Sequence, residues 1–479
     1  MIFVNNTPLT QVMSRADLKV GTFFVDEQAS TLHVWPPAGT NMQTALVESA
    51  LRPQTLTVSG RSNVTVSGLV LRHARTCINQ TGANVTSSSN VLIDSVQAVW
   101  NNWGGFGVFS SSNVTVQNSI ASYNGGVGFL SNRAQTTVFN FDESDYNNWR
   151  GAQAAFYEWG MGGTKFFAMR TVTVKDHFSY NNQGEGLWFD TDNQNITIDN
   201  ATLSGNVTAA LQIERNEGPI TLKNSHLCSS GVGVNILTSE NLTIQNNTFY
   251  NNGGTNKFQA QIYLAGTPGG QQITNWQTGQ AYNLVTTGMV MSGNTMQAAG
   301  TGQFDFGTYL SGGDWSAFAS TLKASGNHWH DLDTTNSFKI PNGKIVNLAG
   351  WQSAVGTDSD SDWGPPATSP ADDCAAPQPS FVDFNVNVDN RTYAMVSGKT
   401  VVNVQVNSFG SGAVTLSTTG LPSGVTATIS QPTLVSGFAT LTLTAAKTAT
   451  AQTVPITLWA VGSGGVHSVT FSVHVVRGV

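Results

Sequence analysis

Along much of the chain, apolar and polar residues alternate with a period of two over short stretches closed by Asn, Ser or Gly. Ser62-Asn63-Val64-Thr65-Val66, Ser89-Asn90-Val91-Leu92-Ile93 and Ser112-Asn113-Val114-Thr115-Val116 are variants of one phrase. Gln194-Asn195-Ile196-Thr197-Ile198 and Glu240-Asn241-Leu242-Thr243-Ile244 repeat it further on. A second phrase recurs as Ser122-Tyr123-Asn124-Gly125, Asp145-Tyr146-Asn147-Asn148, Ser179-Tyr180-Asn181-Asn182 and Phe249-Tyr250-Asn251-Asn252. The alternation predicts short β-strands with one apolar face, and no stretch carries a helical period. Strands this short cannot bury that face alone, so recurrence at about two dozen residues predicts coils stacked around a continuous core.

The period also sets a register. Gly186-Leu187-Trp188-Phe189-Asp190 is followed 24 residues later by Ala210-Leu211-Gln212-Ile213-Glu214. Strand alternation turns Leu187, Phe189, Leu211 and Ile213 inward, and Trp188, Asp190, Gln212 and Glu214 outward. Asp190 and Glu214 are then neighbours on adjacent coils, as are Trp188 and Gln212. One coil earlier Lys165 falls beside Trp188, and one coil later Asn235 falls beside Gln212. Between strands, Asn118, Asp176, Asn200, Asn224 and Asn246 form a ladder suited to tight corners. The repeat resembles the right-handed parallel β-helix family from about Thr55 to Trp363.

Four segments are expected: a β element over 1–54 packing on the helix, the β-helix over 55–365, a linker over 366–380, and a β-sandwich over 381–479. Val20–Asp26 and Leu32–Pro37 read as a hairpin. The passage Gly420-Leu421-Pro422-Ser423-Gly424-Val425 and the alternating strands around it resemble bacterial immunoglobulin-like modules. The fold class is therefore all-β, a right-handed parallel β-helix followed by an immunoglobulin-like sandwich. The repeat is broken by an insertion over 150–160, which places Glu158 and Trp159 in a loop beside the carboxylate coils, either as walls of a cleft or as plain loop structure. Further irregular stretches run from about Gly266 to Ala281 and from Gly302 to Ser320.

Only 10% of residues are charged, and the net charge of −7 is spread without runs, which excludes a nucleic-acid footprint. No stretch is apolar for long enough to span a membrane. The three cysteines, Cys77, Cys228 and Cys374, are read as two buried thiols and one in a linker, without a disulfide framework. The Asn-, Ser-, Thr- and Gly-rich profile suits a secreted or extracellular protein. No signal peptide opens the chain, so a mature form, or one that has lost upstream sequence, is expected. No sequence signal sets an oligomeric state.

Two carboxylates on adjacent coils cannot ionise independently; one becomes a proton donor beside an ionised partner. Their spacing matches a retaining glycosidase, and an outer surface with Trp188, Lys165, Gln212 and Asn235 suits a carbohydrate. A solvated pair or a structural Ca2+ site is the bland alternative, and no cofactor is called for. Asp192 is the competing nucleophile, but it falls in the turn Asp192-Asn193 and reads as a turn former; Asp176 reads as a structural member of the ladder, and Arg215 and Glu217 as a surface pair. His177 and His226 have no metal-ligand partner at suitable spacing.

Gly186-Leu187-Trp188-Phe189-Asp190 with Ile213-Glu214-Arg215-Asn216-Glu217-Gly218-Pro219 resembles the active-site coils of the family 120 glycoside hydrolases, which are β-helical retaining β-xylosidases. The resemblance covers about 35 residues and implies Asp190 as nucleophile and Glu214 as acid/base. A polysaccharide lyase or uronate epimerase with Lys165 as base, assisted by Ca2+, is the alternative enzyme on such a fold. A non-catalytic carbohydrate-binding solenoid is the third reading.

Overall fold

The computed structural model describes residues 1–5, 7–43, 45–150, 162–253, 259–364, 374, 383–388, 392–409, 412–435, 437–462 and 465–476. Two compact units are distinguished, one of residues 50–376, the other of residues 1–49 and 377–479.

In the larger unit most coils give one strand to each of three long sheets, of twelve, ten and eight strands. The coil Leu187–Asp190, Gln194–Asp199, Thr202–Ser204 is followed by Leu211–Glu214, Ile220–Lys223, His226–Cys228. All pairings between these coils are parallel, at the usual spacing of roughly 4.8 Å. Leu187, Phe189, Leu211, Ile213, Ile196, Ile220 and Leu203 meet in one continuous core. The alternation of the sequence thus becomes an inside and an outside, with the register inferred from the repeat.

Corners are where the chain leaves the strand conformation, and they use Asn in two ways. Asn118, Asp176, Asn200, Asn224 and Asn246 adopt positive φ, so the expected outer ladder is a set of left-handed corner residues. A second set lies inside. Asn101, Asn124, Asn147, Asn182 and Asn206 are fully or almost fully buried, each side chain donating to the next Oδ1 at 2.9–3.1 Å. These inner rows use amide groups to satisfy backbone that turns away from the sheets. Across the insertion the coils are offset by one residue from the Tyr phrase, because Asp145, not Tyr146, pairs with Tyr180. The expected Glu158 and Trp159 lie outside the described residues.

Three features differ from the sequence reading. Among the described residues are two helices that the sequence reading did not expect, Gly312–Thr321 and Leu348–Val355, burying Phe318, Trp351 and Val355. They are too short and too rich in Gly, Ser and Ala to show a helical period, and Phe318 and Trp351 join the core by packing on Phe306. The stretch from Gly266 to Ala281 contributes to an antiparallel hairpin, Gln271–Thr274 with Ala281–Leu284. Cys228 and Cys374, expected as thiols, form a disulfide across a separation of 146 residues, while Cys77 is free and exposed. A pair so distant in sequence is brought together only by the coiled chain.

In the other unit, Ile2–Val4 pairs antiparallel with Val47–Ser49, and Thr22–Asp26 with Thr31–Trp35. The described residues between 383 and 475 form a four-stranded and a five-stranded sheet around a shared core that includes Phe384, Val404, Leu441, Leu458 and Phe471. No helix among the described residues is long and apolar enough to cross a membrane.

Candidate active site

Strand pairing sets Trp188 beside Gln212 and Asp190 beside Glu214, and continues from Gln212 to Asn235 and Tyr263. Phe166 pairs with Phe189 and Phe167 with Asp190, so Lys165 is the neighbour of Trp188. The predicted stripe Lys165, Trp188, Gln212, Asn235 is therefore present as one row on the outward side of the strands, but it is not an open surface: all four residues are buried, at 4–6% exposed. Asn235 donates to Gln212 Oε1 at 3.1 Å, and Gln212 donates to Glu214 Oε2 at 3.1 Å.

The two acids occupy unlike surroundings. Asp190 is fully buried. Its Oδ2 lies 2.9 Å from Lys165 Nζ, and its Oδ1 accepts from Arg215 Nη2 at 3.2 Å and from Thr191 Oγ1 at 2.8 Å. Glu214 keeps 19% of its side chain exposed, and its Oε1 lies 3.4 Å from Arg215 Nε. Burial, and then the charge of Asp190, push the Glu214 carboxyl above its ordinary value, against Arg215, Lys165 and the Gln212 hydrogen bond. Burial lowers Lys165, with Asp190 as the main opposing influence. A third carboxyl belongs to this group: burial pushes Glu185 up to about 7, with Lys165 pulling it down and Glu214 raising it. Sequence reasoning passed over Glu185 because it lies ahead of the strand; its bridge to Gly162 is the feature that places it here.

Two expectations are corrected. Trp188 is not a bare platform: it is 4% exposed, with Lys165 Nζ 3.4 Å from its ring centroid. It supports the cation that holds Asp190, and strand alternation alone does not reveal what covers an outward side chain. Arg215 and Glu217 do not pair with each other. Arg215 bridges the two catalytic candidates, while Glu217 accepts from Asn275 at 3.3 Å.

Asp192 has positive φ, as a turn former should, but is buried and ion-paired to Arg170 at 2.8 Å. Its other oxygen accepts from the Trp276 backbone at 2.8 Å, and Arg170 also donates to Gln277 at 3.0 Å. The tip of the hairpin is thereby strapped to the corner beside the acids. Behind that corner, Asn193 donates to the Asp190 carbonyl at 2.8 Å and Asn216 to the Glu214 carbonyl at 2.9 Å, with Asn193 also donating to Asn216 Oδ1 at 2.9 Å. Among the described residues, no three His, Cys, Asp or Glu side chains converge as a metal-binding group.

Residues 54–249 match the family model described as right handed beta helix region. No curated protein matches the sequence. Similar solved structures include the mannuronan C-5 epimerase AlgE6 A-module of Azotobacter vinelandii, with 15% identity and a TM-score of 0.43, covering 66% of this chain and 85% of that one. The Dettilon tailspike protein gp208 has 12% identity and a TM-score of 0.34, covering 80% and 87%. The DFA-IIIase of Arthrobacter chlorophenolicus A6 has 7% identity and a TM-score of 0.32, covering 59% and 67%.

Proposed function

We propose that this chain is a secreted retaining glycoside hydrolase acting on plant-type polysaccharide or oligosaccharide, with xylose-containing β-glycosides as the first substrates to test. The observation that carries the reading is the Asp190–Glu214 pairing across adjacent coils with opposite surroundings. Asp190 sits among two cations and a hydroxyl, as an ionised nucleophile requires. Glu214, pushed up by burial and by Asp190, is suited to carry the proton.

In the first step Glu214 gives its proton to the glycosidic oxygen while an Asp190 oxygen attacks the anomeric carbon; the C–O bond to the leaving group breaks and a glycosyl ester forms. In the second, Glu214 takes a proton from water, the water oxygen bonds to the anomeric carbon, and Asp190 leaves. Gln212 donates to Glu214 and is itself held by Asn235, so the two amides orient the acid/base. Asp190 is reached when Arg215, the more exposed of its two cations, turns outward. No cofactor enters these steps.

The test is turnover of nitrophenyl β-D-xyloside and a panel of related glycosides by the chain, Asp190→Ala and Glu214→Ala. Loss in both, with azide restoring Glu214→Ala as a glycosyl azide, supports the reading. Full activity in Asp190→Ala would sink it.

A second reading rests on Lys165. Its ammonium is lowered by burial and touches a carboxylate, which also suits a base that removes the C5 proton of a uronate. That reading predicts an unsaturated, ultraviolet-absorbing product or an epimerised uronate, and no reducing-end release from xylosides.

A further inference from the structure

A cleft of about 400 Å³ opens on the same outer face, on the side of Asp190 away from Glu214, lined by Asn79, Phe109, Leu130, Asn132, Lys165 and Phe167 among others. Its residues continue the two outward rows of the acid site. Phe109 pairs with Asn132, Asn132 with Phe167, and Phe167 with Asp190; in the next row, Leu130 pairs with Lys165. Lys165 is thus both a wall of the cleft and the cation 2.9 Å from Asp190.

We infer that this cleft is the glycone subsite, so that the bound sugar chain lies along the solenoid axis with its leaving group directed over Glu214 toward Gln212 and Asn235. The inference rests on the hydrolase reading above. In a double displacement the nucleophile bonds to the anomeric carbon of the glycone, and the acid/base touches the oxygen that departs. The nucleophile and acid/base are displaced along the axis, Asp190 one coil before Glu214, so the two sides of the scissile bond are assigned by that displacement. The cleft falls on the nucleophile's side.

Its chemistry suits a pyranose. The volume lies within the usual range for small-molecule sites, ~300–1,000 Å³. Phe109 and Phe167 supply aromatic faces for the C–H bonds of a sugar ring. Asn132 Oδ1 is buried and has no hydrogen-bond partner among the described residues, leaving an acceptor for a sugar hydroxyl. Apolar walls with a few fixed polar groups are what orient a ligand in such a site.

The experiment separates binding from turnover. In the full-length Asp190→Ala chain, binding of D-xylose, D-glucose and D-glucuronate is measured by titration calorimetry, alone and with Leu130→Trp, which fills the cleft, or Asn132→Ala, which removes the acceptor without adding bulk. At least one of these sugars should bind, and its affinity should fall about 10-fold or more in both variants. In the active chain, the same two changes should reorder preference among glycones that share a nitrophenyl leaving group, and leave the dependence on leaving-group acidity unaltered. Binding of none of the three, or unchanged binding in both variants, would overturn the subsite. Variants that alter the leaving-group dependence but not the glycone ranking would reverse the orientation and overturn the inference. If Asp190→Ala retains turnover, the hydrolase reading fails separately, whatever the binding arm returns.

Discussion

Lys165 stands between Asp190 and Trp188, its Nζ 2.9 Å from the Asp190 carboxylate and 3.4 Å from the centroid of the Trp188 ring. An ammonium against a ring face and a carboxylate is held on two sides in a place with little water. Its removal leaves a buried carboxylate with Arg215 as its remaining cation. Lys165→Met is expected to destabilise the solenoid by up to ~3–5 kcal/mol, the range for breaking a buried pair. It should also lower kcat by about 100-fold, since the charge that fixes the nucleophile is lost. Denaturant unfolding beside xyloside turnover checks both; unchanged stability and turnover would contradict the role given to this contact.

Arg215 touches both acids, so its loss should act on the pH profile as well as on rate. It holds the Glu214 carboxyl down against burial and Asp190. Replacing it by Gln therefore raises that carboxyl further, and the protonated donor persists to higher pH. The alkaline limb of kcat/KM should move upward by about one pH unit in Arg215→Gln. An alkaline limb that stays in place or moves down would show that Glu214 does not set it.

How much of this was readable beforehand divides along a physical line. The inward set Leu187, Phe189, Leu211 and Ile213 was legible because a core demands period two, and the Asp190–Glu214 pairing was legible because the repeat length sets register. The burial of Trp188 was not, since alternation says which side a residue faces and nothing about what lies over it. Asn118 and Asn124 are the same letter in similar phrases, yet one is a left-handed corner and the other a buried ladder member. The Tyr phrase misaligned the coils by one residue because an insertion hides where the register resumes. The Cys228–Cys374 disulfide and the Arg170–Asp192–Trp276 strap join distant segments that share no local pattern.

Glu185 gives the solenoid a pH dependence of known sign. Its carboxyl is raised from 4.5 to about 7 in the folded chain, chiefly by burial. The folded state therefore binds more protons than the unfolded one between those values, and stability falls as pH rises through that window. Burial pushes Asp142, Asp145 and Asp305 in the same direction. Unfolding by urea should need less denaturant at pH 7 than at pH 5, and Glu185→Gln should flatten part of that slope. A chain that is more stable at pH 7 than at pH 5, with a slope untouched by Glu185→Gln, would exclude this carboxyl as a source.

The inner Asn rows allow a comparison between fold and site. Asn124 accepts from Asn101 N and Nδ2, both at 3.0 Å, and donates to the Ala98 carbonyl at 3.0 Å, far from the acids along the chain. Asn216 makes the same kind of set: it accepts from Asn193 N at 2.8 Å and Nδ2 at 2.9 Å, and donates to the Phe189 and Glu214 carbonyls at 2.8 and 2.9 Å. Replacing either by Ala orphans buried donors and acceptors and should cost ~1–3 kcal/mol or more. Only Asn216 fixes the backbone that carries Glu214, and through Asn193 that of Asp190. A displacement of reacting groups by about 1 Å can cost ~100-fold in rate. Asn216→Ala should therefore reduce kcat well beyond Asn124→Ala at matched stability, with KM little changed. Equal kcat in the two variants, measured below the onset of unfolding, would show that this row is structural alone.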